Sequence, residues 1–301
     1  MRIAILSRGP GLYSTQSLYR AGRRRGHYMT VVDHTACDLV MSEGKPNVLH
    51  EGKLLQPPEA IIPRIGSSVT LQGAAVIQHF ELMGAATVAR SEALLRARDK
   101  LRCFQRLQQD RIPLPRTISL GQLPDTDAIL ARLGGLPVVI KQLESTHGAG
   151  VILAETHGQL LATVEAFQRL RVRILLQEFV REAAGEDIRA IVVDGKVVAS
   201  MRRVAQPGEF RSNLHRGARA LPEPLSEAEE ALVIRAAAVM GLDVAGVDLL
   251  RSGRGPLVLE VNASPGLEGI EKATGVDVAG QIIRLVERTV RAGRASSTVD
   301  H

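Results

Sequence analysis

The stretch Val244-Ala-Gly-Val-Asp-Leu-Leu-Arg-Ser-Gly-Arg-Gly-Pro-Leu-Val-Leu-Glu-Val-Asn262 constrains the fold more than any other part of the chain. Two apolar runs flank Ser252-Gly-Arg-Gly255, the pattern of an antiparallel hairpin. A turn centred on Arg254 sets Asp248 directly opposite Glu260, and Asn262, two residues on, shares the face of Glu260. Gly246, opposite Asn262, is expected to leave that corner open. Two carboxylates facing each other among leucines and valines repel unless a positive charge lies between them. Oxygen-only donors suit Mg2+ or Mn2+, so Asp248, Glu260 and Asn262 form a candidate metal site. The plainer alternative is an edge hairpin whose acids face water. The turn that follows, Ala263-Ser-Pro-Gly-Leu267, is placed to offer backbone N–H groups around Ser264 and Gly266 to an anion beside the metal.

The rest of the chain fits an α/β protein. Arg2 to Leu6, Met29 to Val32, Ala60 to Pro63 and Ala86 to Val88 read as strands, with helices up to Arg25 and from Val69 to Met83 between them. That alternation predicts a parallel sheet over residues 1–95, and no GxGxxG follows the first strand. A second unit, 96–173, opens on a helix capped by Asp99. It continues with strands at Arg116 to Leu120, Pro137 to Lys141 and Val151 to Ala154, and a helix from Asp125 to Leu133. The loop Ser145-Thr-His-Gly-Ala-Gly150 joins two of these strands, which predicts a hairpin lid rather than a strand-to-helix phosphate loop. A third unit, 174–301, holds the strand Ile174 to Phe179, a hairpin about Asp194-Gly195, a helix opened by the capping box Ser226-Glu-Ala-Glu229, and the metal hairpin.

Composition narrows the function. No apolar run approaches the ~18 residues of a membrane span, and the first residues are too short a run for a signal peptide, so a cytoplasmic protein is expected. Cys37 and Cys103 lack metal-ligand spacing and read as small buried thiols. The net charge of +6 suits acidic partners or nucleic acid, but only 3% of residues are aromatic and none is Trp, a poor supply for base stacking.

Several residues suggest a nucleotide cradle. Lys141 ends an apolar strand where a cation is out of place, and Lys100 opens a helix; both are candidate phosphate ligands. The His147 to Gly150 loop could close over phosphates, although His147 is as well read as facing solvent. Glu178 and Phe179 end a strand where backbone groups and a ring can take an adenine, and Asp187 is placed for ribose hydroxyls. Each alone is better read as structural; their order along the chain makes the set.

That ordered set, Lys141, the His147–Gly150 loop, Glu178-Phe179, Asp187, Asp248 and Glu260-x-Asn262, resembles the ATP-grasp ligases, and within them the RimK-type glutamate ligases. The likeness covers nearly the whole chain. It is most specific at Ile3-Ala-Ile-Leu-Ser-Arg8, Ile62-Pro-Arg-Ile-Gly66, Ala97-Arg-Asp-Lys-Leu-Arg102, Phe210-Arg-Ser-Asn-Leu-His-Arg-Gly217 and Glu260-Val-Asn-Ala-Ser-Pro-Gly-Leu-Glu-Gly-Ile-Glu271. The resemblance implies an ATP-grasp fold behind an N-terminal α/β pre-ATP-grasp domain. It implies ATP bound by Lys141, Glu178, Phe179 and Asp187, with Arg211, Ser212 and Asn213 along the nucleotide and γ-phosphate. It implies two Mg2+ or Mn2+ ions held by Asp248, Glu260 and Asn262. Arg203 (or Arg202), Arg211 and Arg216 would steady phosphate and the tetrahedral intermediate, and Arg64 a substrate carboxylate.

The family's reaction activates a carboxylate as an acylphosphate and joins it to the amine of L-glutamate. The expected acceptor is the acidic C-terminal tail of a ribosomal protein, the sixth of the small subunit. Membrane and nucleic acid are not required, and a homo-oligomer such as a tetramer is implied. Three alternatives stay open: the same chemistry on a small metabolite or on free glutamate, a nucleic-acid-binding protein, and a catalytically silent ATP-binding regulator.

Overall fold

The computed structural model describes residues 1–42, 44–121, 125–143 and 150–297. The first unit contains β1 (Arg2–Leu6), α1 (Tyr13–Arg24), β2 (Tyr28–Val32), β3 (Cys37–Ser42), β4 (Lys45–His50), β5 (Lys53–Leu54), β6 (Ala60–Pro63), α2 (Thr70–Leu82), β7 (Ala86–Thr87) and α3 (Ser91–Arg98). Strands β2-β1-β6-β7 form the expected parallel sheet. Its central strands are apolar at every residue from Ile3 to Leu6 and from Ala60 to Pro63, as burial on both faces requires. The antiparallel meander β3-β4-β5 and helix α3 lie between elements that the hydrophobic pattern marks, and nothing in that pattern announces them.

The second unit contains α4 (Lys100–Gln109), β8 (Thr117–Ser119), α5 (Thr126–Leu133), β9 (Val138–Gln142), β10 (Val151–Ala154), α6 (His157–Arg169) and β11 (Ile174–Glu178). Asp99 caps α4 as expected, its side chain accepting from the N–H groups of Leu101 and Arg102. The sheet runs β10-β9-β11-β8, all antiparallel, and β9 and β10 pair as the two arms of a hairpin. Its tip, including His147, lies outside the described residues.

The third unit holds β12 (Glu186–Val193), β13 (Lys196–Val204), β14 (Arg219–Pro222), α7 (Glu227–Met240), β15 (Val244–Ser252), β16 (Gly255–Asn262), α8 (Glu268–Thr274) and α9 (Val278–Ser297). Its antiparallel sheet is ordered β14-β13-β12-β15-β16. Ser226 and Glu229 make a reciprocal capping box, and Gly241 ends α7 in the left-handed conformation. Among the described residues no helix is long and apolar enough to cross a membrane.

The apolar cores do not follow chain order. One cluster joins Leu6, Ile61 and Phe80 to Val233, Val247 and Val258. A second joins Ile3, Leu18 and Met29 to Ile191, Ile270, Ile282 and Val286. The N-terminal sheet therefore shares both faces with the third unit. The core of the second unit, with Ile140, Leu160 and Leu176, stands apart. Cys103 is buried in the first cluster and Cys37 is half-buried against it, and burial pushes both thiols up, to about 12 and about 11.

Candidate active site

The hairpin β15–β16 pairs Asp248 with Glu260 and Gly246 with Asn262, the expected partners. The turn is not centred on Arg254, however. Ser252 faces Gly255 across a two-residue tip, and Leu249 faces Val258, so Leu259 is an extra residue, a bulge that restores the pairing at Glu260. Nor is the corner at Gly246 open: a Cβ there would stand 2.7 Å from Cβ of Pro265.

The positive charge that the hairpin needs is supplied by the chain itself. Asp248 is 2% exposed and lies opposite Arg189 on β12, which donates from Nε to Oδ1 and from Nη2 to Oδ2, each at 2.7 Å. Arg203 on β13 donates to Oδ2 of the same carboxylate at 2.9 Å and grips Asp187, its cross-strand partner, with two further bonds. Burial opposes the charge of Asp248, but the two arginines outweigh it and hold the carboxyl below its ordinary range. Arg203 is likewise buried, and the two aspartates keep it charged.

Glu260 differs from Asp248. It is exposed to the cavity, and among the described residues no guanidinium or ammonium pairs with it within ion-pair distance. The side-chain amide nitrogen of Asn262 is buried without a partner. Among the described residues no three His, Cys, Asp or Glu side chains cluster as a metal site. The donor set nevertheless fits a hard cation, since Glu260 offers a carboxylate and Asn262 a side-chain carbonyl oxygen, and Asp248 Oδ1 keeps a lone pair beyond its single arginine bond.

All these groups line one cavity of about 1320 Å³, bounded by the sheets of the second and third units and the carboxyl ends of β1 and β6. Lys141 at the end of β9 lines it, and burial pulls its ammonium down to about 8, against the attraction of Glu260 and with the repulsion of Lys100. Lys100 donates to the carbonyl of Leu143 at 3.2 Å. Glu178, at the end of β11, accepts from the N–H of Arg116 at 2.7 Å and pairs with Arg254 from the hairpin tip. Phe179 meets Phe210 edge to face at 6.5 Å, and Arg211 covers Phe210 at 5.3 Å. Arg211 also binds Glu209 and donates to the carbonyl of Val151 at 3.2 Å, tying its loop to β10.

Ser212, Asn213, Arg64, Ser264 and Gly266 line the same cavity. Ser264 Oγ donates to the carbonyl of Pro63 at 3.4 Å, which brings its turn against the end of β6. Arg216 is outside this lining and lies 3.6 Å from Glu209. Three lining or clamping arginines escaped the sequence pattern: Arg189, Arg98 and Arg254. Arg189 was within reach, because Asp187-x-Arg189 shares a strand face just as Glu260-x-Asn262 does.

A phosphate-sized set of cations beside an oxygen-only donor set, between two antiparallel sheets, matches a known architecture. Residues 97–286 match the RimK-like ATP-grasp domain and residues 1–94 the RimK PreATP-grasp domain. The chain belongs to the RimK-like ATP-grasp ligases. A probable alpha-L-glutamate ligase 1 of Hahella chejuensis is 50% identical over 297 residues, covering 99% of this chain and 98% of that protein. A probable alpha-L-glutamate ligase of Picosynechococcus is 49% identical over 301 residues, covering 100% of both. Among solved structures, the ATP-grasp ligase PsnB complexed with a minimal precursor superposes with TM-score 0.75 at 21% identity, over 96% of this chain and 98% of that one. A RimK domain ATP-grasp protein from Sphaerobacter thermophilus gives TM-score 0.70 at 23% identity, over 95% and 99%. The fold is thus ATP-grasp with a pre-ATP-grasp domain in front, and this RimK-like chain is an ATP-dependent ligase.

Proposed function

We propose that this ligase adds L-glutamate to the C-terminal carboxylate of a ribosomal protein with an acidic tail. The observation that carries the reading is the convergence on one cavity of Lys141, the Glu260–Asn262 donors and the Asp187–Arg203–Asp248 network. The names of the half-identical relatives support glutamate as the amino acid. A carboxylate oxygen of the acceptor attacks the γ-phosphorus of ATP, the bond to the β-phosphate oxygen breaks, and ADP leaves. The amine of glutamate then attacks the acyl carbon of the resulting acylphosphate. The carbon–oxygen bond to phosphate breaks, phosphate leaves, and the amine loses a proton to give the amide.

Such chemistry needs positioning and charge neutralisation more than a side-chain nucleophile. Lys141 and Lys100 take the phosphates, Phe179 with the backbone at Glu178 takes the adenine, and Asp187, Ser212 and Asn213 lie along the nucleotide. Arg203 and Arg211 stand where charge builds on the transferred group, Arg216 serves from the edge of the same loop, and Arg64, Ser264 and Gly266 face the substrates. Asp248, Glu260 and Asn262 would hold two Mg2+ or Mn2+ ions, which when bound supply neutralising charge to the phosphates. A cytoplasmic homo-oligomer, such as a tetramer, completes the reading.

The test is the intact mass of the purified ribosomal acceptor after incubation with the enzyme, ATP, Mg2+ and L-glutamate. A ladder of added glutamyl masses, abolished by Glu260→Gln, is the expected result. ADP formed with free glutamate but no ladder replaces the acceptor. Neither ladder nor ADP from folded, ATP-binding protein overturns the reading.

A further inference from the structure

In the N-terminal sheet the chain leaves β1 for β2 on one side, while β6 lies on the other. Strands β1 and β6 therefore bracket the topological switch point, and in open parallel sheets ligands bind in the crevice beyond the carboxyl ends of such strands. Here those ends lead into Ser7 and Arg64, and both line the cavity. The facing wall is the turn at Ser264, closed onto the crevice by the Ser264–Pro63 bond and by the N–H of Leu267 donating to Ser14 Oγ at 2.9 Å.

The crevice is positively charged, and among the described residues neither Arg64 nor Arg98 forms an ion pair. Desolvation, with Arg98 nearby, pulls the Arg64 guanidinium down to about 10. Arg98 donates from Nη2 to the carbonyl of Ile65 at 2.6 Å, and its Nε is buried with no acceptor. The opposite charge that reaches Arg98 is that of Glu260, the candidate metal ligand, and both line the same cavity. Two half-buried guanidiniums lining one crevice repel unless an anion joins them, and their planar forks fit a carboxylate in a bidentate manner.

We propose that Arg64 and Arg98 form a pocket at this switch point for a substrate carboxylate that does not itself react. The pocket rests on the ligase reading, which supplies two sources of that group: free L-glutamate, whose amine alone reacts, and the acidic side chains of the acceptor tail. Arg98 acts with Arg64 here as a binding residue. Ser7, at the end of β1, is the neighbouring neutral donor.

The experiment is calorimetric titration of the full-length protein, loaded with ADP and Mg2+, by four probes. These are L-glutamate, L-glutamine, an acidic peptide with penultimate glutamates, and the same peptide with glutamines there. Wild type is expected to prefer the carboxylate member of one pair by at least about tenfold. Arg64→Gln and Arg98→Gln are each expected to erase most of that preference while ADP affinity stays unchanged. The pair affected names the source. Arg64→Lys and Arg98→Lys, expected to keep part of the preference, carry the test if a glutamine variant fails to fold.

A preference undiminished in every variant that folds overturns the pocket, and so does a wild type without preference for either carboxylate. ADP formation by wild type, with and without glutamate and acceptor, judges the ligase reading separately. Acceptor-dependent ADP with an unaltered preference keeps the ligase and removes the pocket. An arginine-dependent preference without ADP formation keeps the pocket and removes the reaction.

Discussion

Arg189 faces Asp248 across β12 and β15 and holds both of its carboxylate oxygens at 2.7 Å. A candidate metal ligand is thus already neutralised by the protein before any cation arrives. The arginine and a divalent ion compete for the same two oxygens. Replacing Arg189 with Met leaves Asp248 only Arg203, which is expected to cost on the order of 2 kcal/mol of stability. The same change is expected to tighten Mn2+ binding to the nucleotide-free enzyme by about tenfold. Electron paramagnetic resonance of free Mn2+ checks this; weaker binding in the variant would show that Arg189 orients Asp248 for the metal.

Arg254 at the hairpin tip reaches Glu178 at the end of β11, which links the metal hairpin to the adenine side of the cavity. Its side chain is 46% exposed, so Arg254→Ala is expected to cost less than about 1 kcal/mol of stability. The nucleotide is expected to feel the loss more, with ATP affinity falling about fivefold. Equal ATP affinity in the two proteins would mean that the contact positions nothing.

Gly246 is set by close approach rather than by backbone conformation. With a Cβ 2.7 Å from that of Pro265, Gly246→Ala must push the Ser264–Gly266 turn off the hairpin. Thermal melts are expected to show a loss of about 1–3 kcal/mol, and KM for the amino-acid substrate is expected to rise. An unshifted KM would separate that turn from substrate binding.

Glu287 on α9 binds Arg25 through both oxygens and His27 through one. The Arg25 bonds come first in holding it down, burial opposes them, and His27 adds to them, giving about 2. The folded value lies below the ~4.3 of an unfolded glutamate. This carboxylate's stabilisation is therefore complete above that value and drains away as pH falls toward 2. Glu287→Gln is expected to flatten the acid limb of the stability curve in that window, by on the order of 2 kcal/mol. Urea denaturation as a function of pH reads the difference; parallel curves would refute it.

The two-residue period of a strand made Asp248, Glu260 and Asn262 readable as one cluster. The pairing holds at Asp248–Glu260 although the turn centres half a residue before Arg254, because the Leu259 bulge compensates. A bulge is a local backbone event that no apolar pattern marks. The countercharges were less legible. Arg189 sits on the same strand face as Asp187, but which face meets β15 depends on a sheet order that a single chain pattern does not contain. Arg98 ends a short helix of low apolar contrast, and its bond to the distant carbonyl of Ile65 is a tertiary contact that no local pattern marks. The β3–β5 meander stayed hidden for a related reason, since its half-exposed strands carry little periodic contrast.

The packing of α9 on the first unit has a consequence for the order of synthesis. Leu18, Ala21 and Met29 are made well before Ile282, Ile283 and Val286, with which they share a core. Until α9 leaves the ribosome, the newly made parallel sheet keeps an apolar flank uncovered, the kind of surface that chaperones hold and that aggregates when crowded. Helix α9 thus completes a unit translated well ahead of it.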